Sequence, residues 1–582
     1  MLPRVNPPPC RDPSIEGSNG PRPDVPTMAP AGSCKYPCVA KARAGMLLAG
    51  VVLLVYGTTC GFGWLDWDDG INVTRNPGLN PVTLTNVAGF WSRPYQGLYI
   101  PVSYTFFAGE VLLSRAIFSA EPDLPPDPRP FHTISVLLHA CCVLLVWRLI
   151  VSQGSGTWPA LAGALLFAVH PLQVESVAWI SEQRGLLATA LSLAAMLFHL
   201  RTAADASPSR RPWTTCAGLV CFGLATLAKP QAIVVPLLLI ILESRKPHWS
   251  ILGMARSLWP WFVMSVAVGV ITKLQQPSEW SWSGAAVAPL LRPFVAGDAL
   301  CFYAGKLLLP IGLCIDYGRT PAVVLDSPWL CLRAAAALGA LAGIWITPGL
   351  RSCRVPIGLA LAGLLPVLGF VPFTFQGFST VTDRYAYLPM LGPALGLAFV
   401  LTGPKGHRAQ RLLQWGVCLW LLVLAGLAIR QASVWRSPAT VNAHAVLVNP
   451  HTSGARLGLA ASLIAEDRLV EAADVLRRAV ELNPDYAKAQ YELGSTLHKL
   501  GKSKEAEVHY RAALRLKPGW AYVHNDLGIL LAQQGRSADA IIHFREAVAL
   551  RPDLPASQRN LEQAEHMLSQ PSGPQRQPET GE

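Results

Sequence analysis

Four short stretches carry side chains that can do chemistry. The first, Trp64-Leu65-Asp66-Trp67-Asp68-Asp69-Gly70-Ile71-Asn72, sets three carboxylates within four residues just past an apolar run. A carboxylate there can serve as general base toward an incoming hydroxyl or hold a divalent cation. The second, Phe167 to Gly185, carries His170, Glu175, Glu182 and Arg184. The third and fourth, Lys229-Pro230-Gln231 and Asp383-Arg384-Tyr385, add cations of the kind that bind phosphate near a membrane surface. A His with two Glu raises the question of a metal, yet no HExxH or comparable ligand spacing accompanies them, so a metal site is not favoured. Asn72-Val73-Thr74 is a sequon, a pattern common by chance.

What must position these residues is a bilayer. The chain has 582 residues, 51% hydrophobic and 14% charged, with a mean hydropathy of +0.33, whereas soluble domains carry about 25% charged residues. The formal charge of +12 does not point to nucleic acid, because Lys and Arg fall in short clusters between apolar runs, where they set topology. Thirteen cysteines, most inside apolar segments, resemble small core residues rather than a disulfide framework. Residues 1–45, rich in Pro and Gly, read as a disordered cytoplasmic tail, and 571–582 as a second one. Met28 and Met46 are further possible starts. The run from Met46 to Trp64 is too long for a signal-peptide core and lacks a small-x-small cleavage site, so an uncleaved first span is expected.

Thirteen apolar runs lie between residues 46 and 430. If those at 98–118 and 298–315 are not spans, every basic cluster lands on the cytoplasmic side. The expectation is therefore eleven spans, with those two segments, which carry Glu110, Arg115, Lys306 and Asp316, lying in the interface or re-entering on the outer face. The outer loops then collect all four motifs, together with Glu279, Trp280, Trp282, Asp316 and Arg319. Ionisable groups drawn from separate loops to one membrane boundary indicate a polar site facing away from the cytosol.

After Trp435 the composition changes. Asn449-Pro450, Asn483-Pro484, Lys517-Pro518 and Arg551-Pro552 recur every 34 residues, the tetratricopeptide period. Leu459/Leu493/Leu527, Ala460/Gly494/Gly528, Ala472/Ala506/Ala540 and Ala479/Ala513/Ala547 keep the register, small residues letting paired helices lie close. The fold expected is all-α: a multispanning membrane domain over 46–435, then a repeat solenoid over 436–570 with repeats at 450–483, 484–517 and 518–551 and a capping helix.

WLDWDDGINVTRNP, FAVHPLQVESVAWISEQRGLLA, LATLAKPQAIVVPLLLI and STVTDRYAYLP, in this order before the repeats, resemble the transmembrane and tetratricopeptide repeat-containing O-mannosyltransferases, whose bacterial relatives share the layout. The resemblance covers roughly residues 46 to 570. It implies a GT-C membrane fold, a polyprenyl-phosphate sugar as donor, and a catalytic base at Asp68 or Asp69, with Asp68 preferred. Arg384 and Lys229 are then candidates for the donor phosphate by charge and location, with His170, Glu175, Glu182, Arg184, Asp383 and Tyr385 beside them. Many bacterial relatives read ERKD where this chain has Glu182-Gln183-Arg184-Gly185, a departure that argues against an essential role for the missing pair.

The function expected is transfer of mannose or another hexose from the lipid phosphate to hydroxyls of exported proteins, with the repeats gripping the acceptor or protein partners. The absence of an endoplasmic-reticulum address tilts the setting toward a bacterial inner membrane with the repeats outside the cytoplasm, the alternative being luminal repeats in the endoplasmic reticulum. Transfer to a glycan or lipid, and a non-enzymatic repeat scaffold on a membrane anchor, are the rival functions.

Overall fold

The computed structural model describes residues 38–65, 67–118, 124–204, 211–246, 249–275, 287–371, 373–377, 379–403 and 406–569. Asp66, Glu279, Trp280, Trp282 and most of both expected disordered tails lie outside these residues. The chain divides into Met1–Ala44 and Gly45–Glu582. The described residues of the first unit open the first helix, and the second unit holds every later element.

The membrane part comprises α1 (Cys38–Tyr56), α2 (Leu84–Ser92), α3 (Pro101–Phe118), α4 (Arg129–Ser152), α5 (Thr157–Val169), α6 (Val174–Ala178), α7 (Gln183–Ala204), α8 (Arg211–Ala228), α9 (Val235–Glu243), α10 (Ile251–Gln275), α11 (Arg292–Leu308), α12 (Pro321–Leu325), α13 (Leu330–Ile346), α14 (Arg354–Leu364), α15 (Leu391–Thr402) and α16 (His407–Val434). Among the described residues, six helical segments are long and apolar enough to cross a membrane, seven if the bent pair Thr157–Val169 and Pro171–Ala178 is one span. Four shorter apolar helices, Pro212–Ala228, Pro230–Glu243, Leu330–Ile346 and Leu391–Thr402, stand where the remaining spans were expected. These four fall short of the ~20 residues that cross a bilayer as straight helix. Neither α3 nor α11 is among these segments.

Proline explains the breaks. Pro171 cannot continue the helix of α5, which ends at His170 and bends by 53° into the next segment. Pro230 likewise separates α8 from a short 3-10 turn that leads into α9. Close helix contacts rely on glycine. A Cβ at Gly163 would strike the Ala394 carbonyl on α15, and one at Gly392 would strike Pro356 and Ala360 on α14. Small residues at such crossings let backbones approach where lipid supplies no hydrophobic drive.

The soluble part continues with α17 (Pro438–Val448), α18 (Ser453–Ala465), α19 (Leu469–Leu482), α20 (Ala487–Lys499), α21 (Ser503–Leu516), α22 (Ala521–Gln533), α23 (Ser537–Leu550) and α24 (Pro555–Ser569). Each 34-residue repeat holds one antiparallel helix pair, α18–α19, α20–α21 and α22–α23. The register alanines Ala472, Ala479, Ala506, Ala513, Ala540 and Ala547 are all fully buried, so the pairs close on residues with almost no side chain. The helix before the first whole repeat keeps the same period, its buried Ala445 standing 34 residues ahead of Ala479. α17, started by a capping box between Ser437 and Thr440, packs on α18, where Gly458 leaves room for the Asn442 side chain.

A Cβ at Gly528 would sit 2.6 Å from the Phe544 ring, itself buried. Gly528→Val is therefore expected to destabilise the repeats by about 1–3 kcal/mol through overpacking, seen as a lower protease-resistance midpoint of the full-length chain.

Candidate functional site

The helix breaks bring the charged residues together. Glu182 ends the 3-10 turn Ile180–Glu182 just before α7, and its carboxylate is 1% exposed. Around it lie Lys229 Nζ at 2.6 Å, Arg184 Nη2 at 3.3 Å and Arg384 Nε at 3.5 Å. Arg384 also donates to Glu175 at 2.5 Å, and Thr382 Oγ1 donates to the same carboxylate at 3.1 Å. The Arg384 guanidinium sits 4.3 Å from the Phe375 ring centroid and 5.3 Å from that of Trp179. Burial opposes its charge, but the neighbouring Glu175 and Glu182 outweigh that and hold it cationic. Lys229 is pulled below its usual range by burial, partly offset by Glu182.

The paired acids after the first span have different environments. Asp69 is fully buried and accepts from Ser181 Oγ at 2.6 Å, from the Ser181 backbone N–H at 3.0 Å and from that of Leu65 at 3.0 Å. Burial raises its carboxyl to about 6, even though these hydrogen bonds favour the anion. Asp68 keeps a side chain 46% exposed, with Oδ2 3.6 Å from Arg184. Asp69 thus ties the acidic loop to the strip before α7, while Asp68 stands open beside the cations. Arg184 Nε is buried with no hydrogen-bond partner among the described residues.

A small cavity of about 30 Å³ opens beside this cluster, with Lys229, Gln231, Arg384 and Tyr385 in its wall and Thr189 and Ser192 of α7 facing it. Gly185 matters here. A Cβ on it would lie 3.2 Å from both Glu182 Oε2 and Lys229 Nζ, so a side chain would crowd that ion pair. The departure from ERKD therefore leaves Glu182 and Arg184 at the centre of the cluster.

Not every expected residue joins it. His170 is buried with Nδ1 accepting from the Leu172 backbone N–H and Nε2 against the Leu307 carbonyl, so its ring caps the helix break. Asp383 points the other way and accepts from Tyr317 at 2.7 Å; burial, with the nearby Glu175 charge, lifts its carboxyl well above the usual range. The sequon is also accounted for. Asn72 is buried and donates to Ser181 Oγ, so a glycan there would displace a core hydrogen bond. Ser181, Thr382 and Tyr317 are not among the sequence candidates, because an isolated Ser, Thr or Tyr carries no spacing signal. Among the described residues no three His, Cys, Asp or Glu gather closely enough to hold a metal.

Two tetratricopeptide-repeat profiles match residues 485–553 and 462–501. The chain is 24% identical over 395 residues to a protein O-mannosyl-transferase of Caenorhabditis elegans, covering 62% of this chain and 52% of that one. It is 26% identical over 501 residues to the human protein O-mannosyl-transferase TMTC1, covering 75% and 54%, and 26% identical over 466 residues to mouse TMTC3, covering 70% and 47%. The chain thus spans about half the length of these relatives. A solved structure of the MamA protein is similar with a TM-score of 0.21 and 19% identity, over 22% of this chain and 70% of that one, too low a score to bear on the membrane part.

Asp69 binds its proton more tightly in the folded chain, at about 6, than at the ordinary 3.8. Its contribution to stability is therefore fully present below about pH 4 and is lost as pH rises through about 6, a change on the order of 3 kcal/mol. The unfolding free energy of the wild type, measured relative to Asp69→Asn, should fall by that order between pH 4 and pH 7.

Proposed function

We propose, from its kinship with the protein O-mannosyl-transferases, that this multi-pass membrane protein transfers mannose or another hexose from a polyprenyl-phosphate donor to Ser or Thr hydroxyls of proteins. The observation that carries this reading is the pairing of a half-exposed carboxylate, Asp68, with a buried cluster of three cations 3.6 Å away at its nearest. An acceptor hydroxyl and a leaving phosphate need opposite partners within one sugar's width, and this geometry supports both.

In the reaction, Asp68 takes the hydroxyl proton as the acceptor oxygen forms its bond to the anomeric carbon. The bond from that carbon to the phosphate oxygen breaks, its electron pair leaves with the lipid phosphate, and the configuration inverts. Arg184, Lys229 and Arg384 stabilise the charge that develops there. Lys229 and Arg384, which line the cavity, are the donors best placed to receive it. Asp69 positions the loop through Ser181.

The repeat helices supply the surface for the acceptor or another protein partner, as stacked helix pairs create an extended concave face. Both the acidic loop and the repeats are assigned to the non-cytosolic side, in a bacterial inner membrane or the endoplasmic reticulum. A lipid or glycan acceptor is the second chemistry that this site would allow, and acceptor choice separates the two.

Asp68→Asn should lower transfer from radiolabelled polyprenyl-phosphate mannose to a Ser/Thr peptide by about 10²–10⁴-fold, the span typical of a lost general base. Wild-type turnover at equal expression would remove Asp68 from the mechanism. Label appearing only in lipid or glycan would shift the acceptor class.

A further inference from the structure

Two histidines of the third repeat face each other through the same ring nitrogen. His524 on α22 and His543 on α23 set Nδ1 against Nδ1 at 3.1 Å, with ring centroids 5.3 Å apart and both rings half-buried. The second repeat holds a different pair at the same two places, 34 residues earlier. There Gln490 Oε1 accepts from His509 Nδ1 at 2.8 Å, and Gln490 Nε2 donates to the Pro484 carbonyl at 3.0 Å. Gln558, 34 residues after His524, donates to the Pro552 carbonyl at 2.8 Å in the same way. The place held by His524 thus calls for one polar atom that donates to a proline carbonyl and a second that accepts from the partner helix.

His524 meets that demand in one protonation state. A carbonyl cannot donate, so Nε2, 2.9 Å from the Pro518 carbonyl, carries the hydrogen, and in the neutral ring Nδ1 is then a bare acceptor. His543 Nδ1 supplies the proton of the N–H···N bond. One added proton can be shared, sitting on His524 Nδ1 while His543 shifts its own hydrogen to Nε2. A second cannot, because it sets two N–H groups head-on. Glutamine escapes this limit, since His509 can take a proton on Nε2 and go on donating to Gln490 through Nδ1. Burial lowers both His509 and His543, and His543 also has the titrating ring of His524 against it. Arg511 on α21 and Arg536 ahead of α23 add to that repulsion, and Asp539 on α23 opposes it. Glu507 holds both arginines, and Glu565 of α24 is held by Arg545.

We propose that the His524–His543 pair is a proton-operated latch, which keeps the third repeat closed while it holds no more than one proton and opens it on taking up a second. The opened pair binds two protons below the ordinary histidine value of 6.5, whereas the closed pair binds one. The latch is therefore at full strength above about pH 6.5 and weakens as pH falls below it, because the open state then holds more protons. It lies within α22 and α23 and uses none of the residues assigned to sugar transfer, so it stands apart from that reading.

Hydrogen exchange of the purified full-length protein, read by mass spectrometry at about pH 7.5 and about pH 5.5 and corrected for the intrinsic pH dependence of exchange, reports each helix pair separately. Protection of α22–α23 is expected to fall by roughly 3–10-fold more than that of α20–α21, the effect of one unmatched proton over about one unit below the histidine value. His524→Gln, which installs the arrangement of Gln490, should remove that excess while keeping the wild-type protection at the higher pH. His543→Gln, whose amide can turn to donate or accept, should remove it as well. Equal falls in the two helix pairs of the wild type, or an excess that survives His524→Gln, would overturn the proposal.

Discussion

The arrangement of this molecule depends on one buried carboxylate. Glu182 is 1% exposed and has three cations within 3.5 Å. A charge taken out of water costs several kcal/mol, and only well-placed counter-charges offset it. Here they come from α7 itself, from the break between α8 and α9, and from the loop before α15. Removing any partner would weaken that offset for a carboxylate buried in the protein. The three chain segments are therefore tied to one another through this shared ion cluster.

The second constraint is the bilayer's intolerance of unpaired backbone. Irregular chain at membrane depth is stable only where it is enclosed by protein or lines a cavity. The break at His170-Pro171 meets this condition by packing on the short helical turn Asp383–Ala386, and the one at Lys229-Pro230 by packing on α7, α10 and the turn Leu365–Val367. Their polar termini and side chains then converge. Half-helices meeting at one level are how membrane folds place ionic sites without exposing polar groups to lipid.

The repeat helices are joined to this centre by specific bonds. Thr452, which caps the first turn of α18, donates to Asp316 at 2.5 Å. The adjacent Tyr317 donates to Asp383, next to Arg384. The ring of Trp435, at the end of α16, stacks on Trp179 at 5.9 Å between centroids. Gln431 and His444 both reach the Leu313 carbonyl. The loop 311–320 thus bridges the start of the soluble part and the segment carrying Arg384, and it gives the repeats a fixed bearing on the ionic cluster.

Much of this was written along the chain. Hydropathy and the placement of Lys and Arg marked the apolar segments and set α3 and α11 apart; the 34-residue period marked the paired helices, because both signals arise from local composition and spacing. The four motifs named Asp68, Glu182, Arg184, Lys229 and Arg384, which the fold gathers into one cluster. What they could not supply was partnership. Asp68 and Asp69 are neighbours of identical type, and only folding gives one three hydrogen-bond donors and leaves the other open. Ser181 and Tyr317 gain their parts from residues 112 and 66 positions away. Roles set by burial and by contacts across such distances belong to the tertiary structure, since desolvation and pairing have no meaning until the chain has enclosed the group.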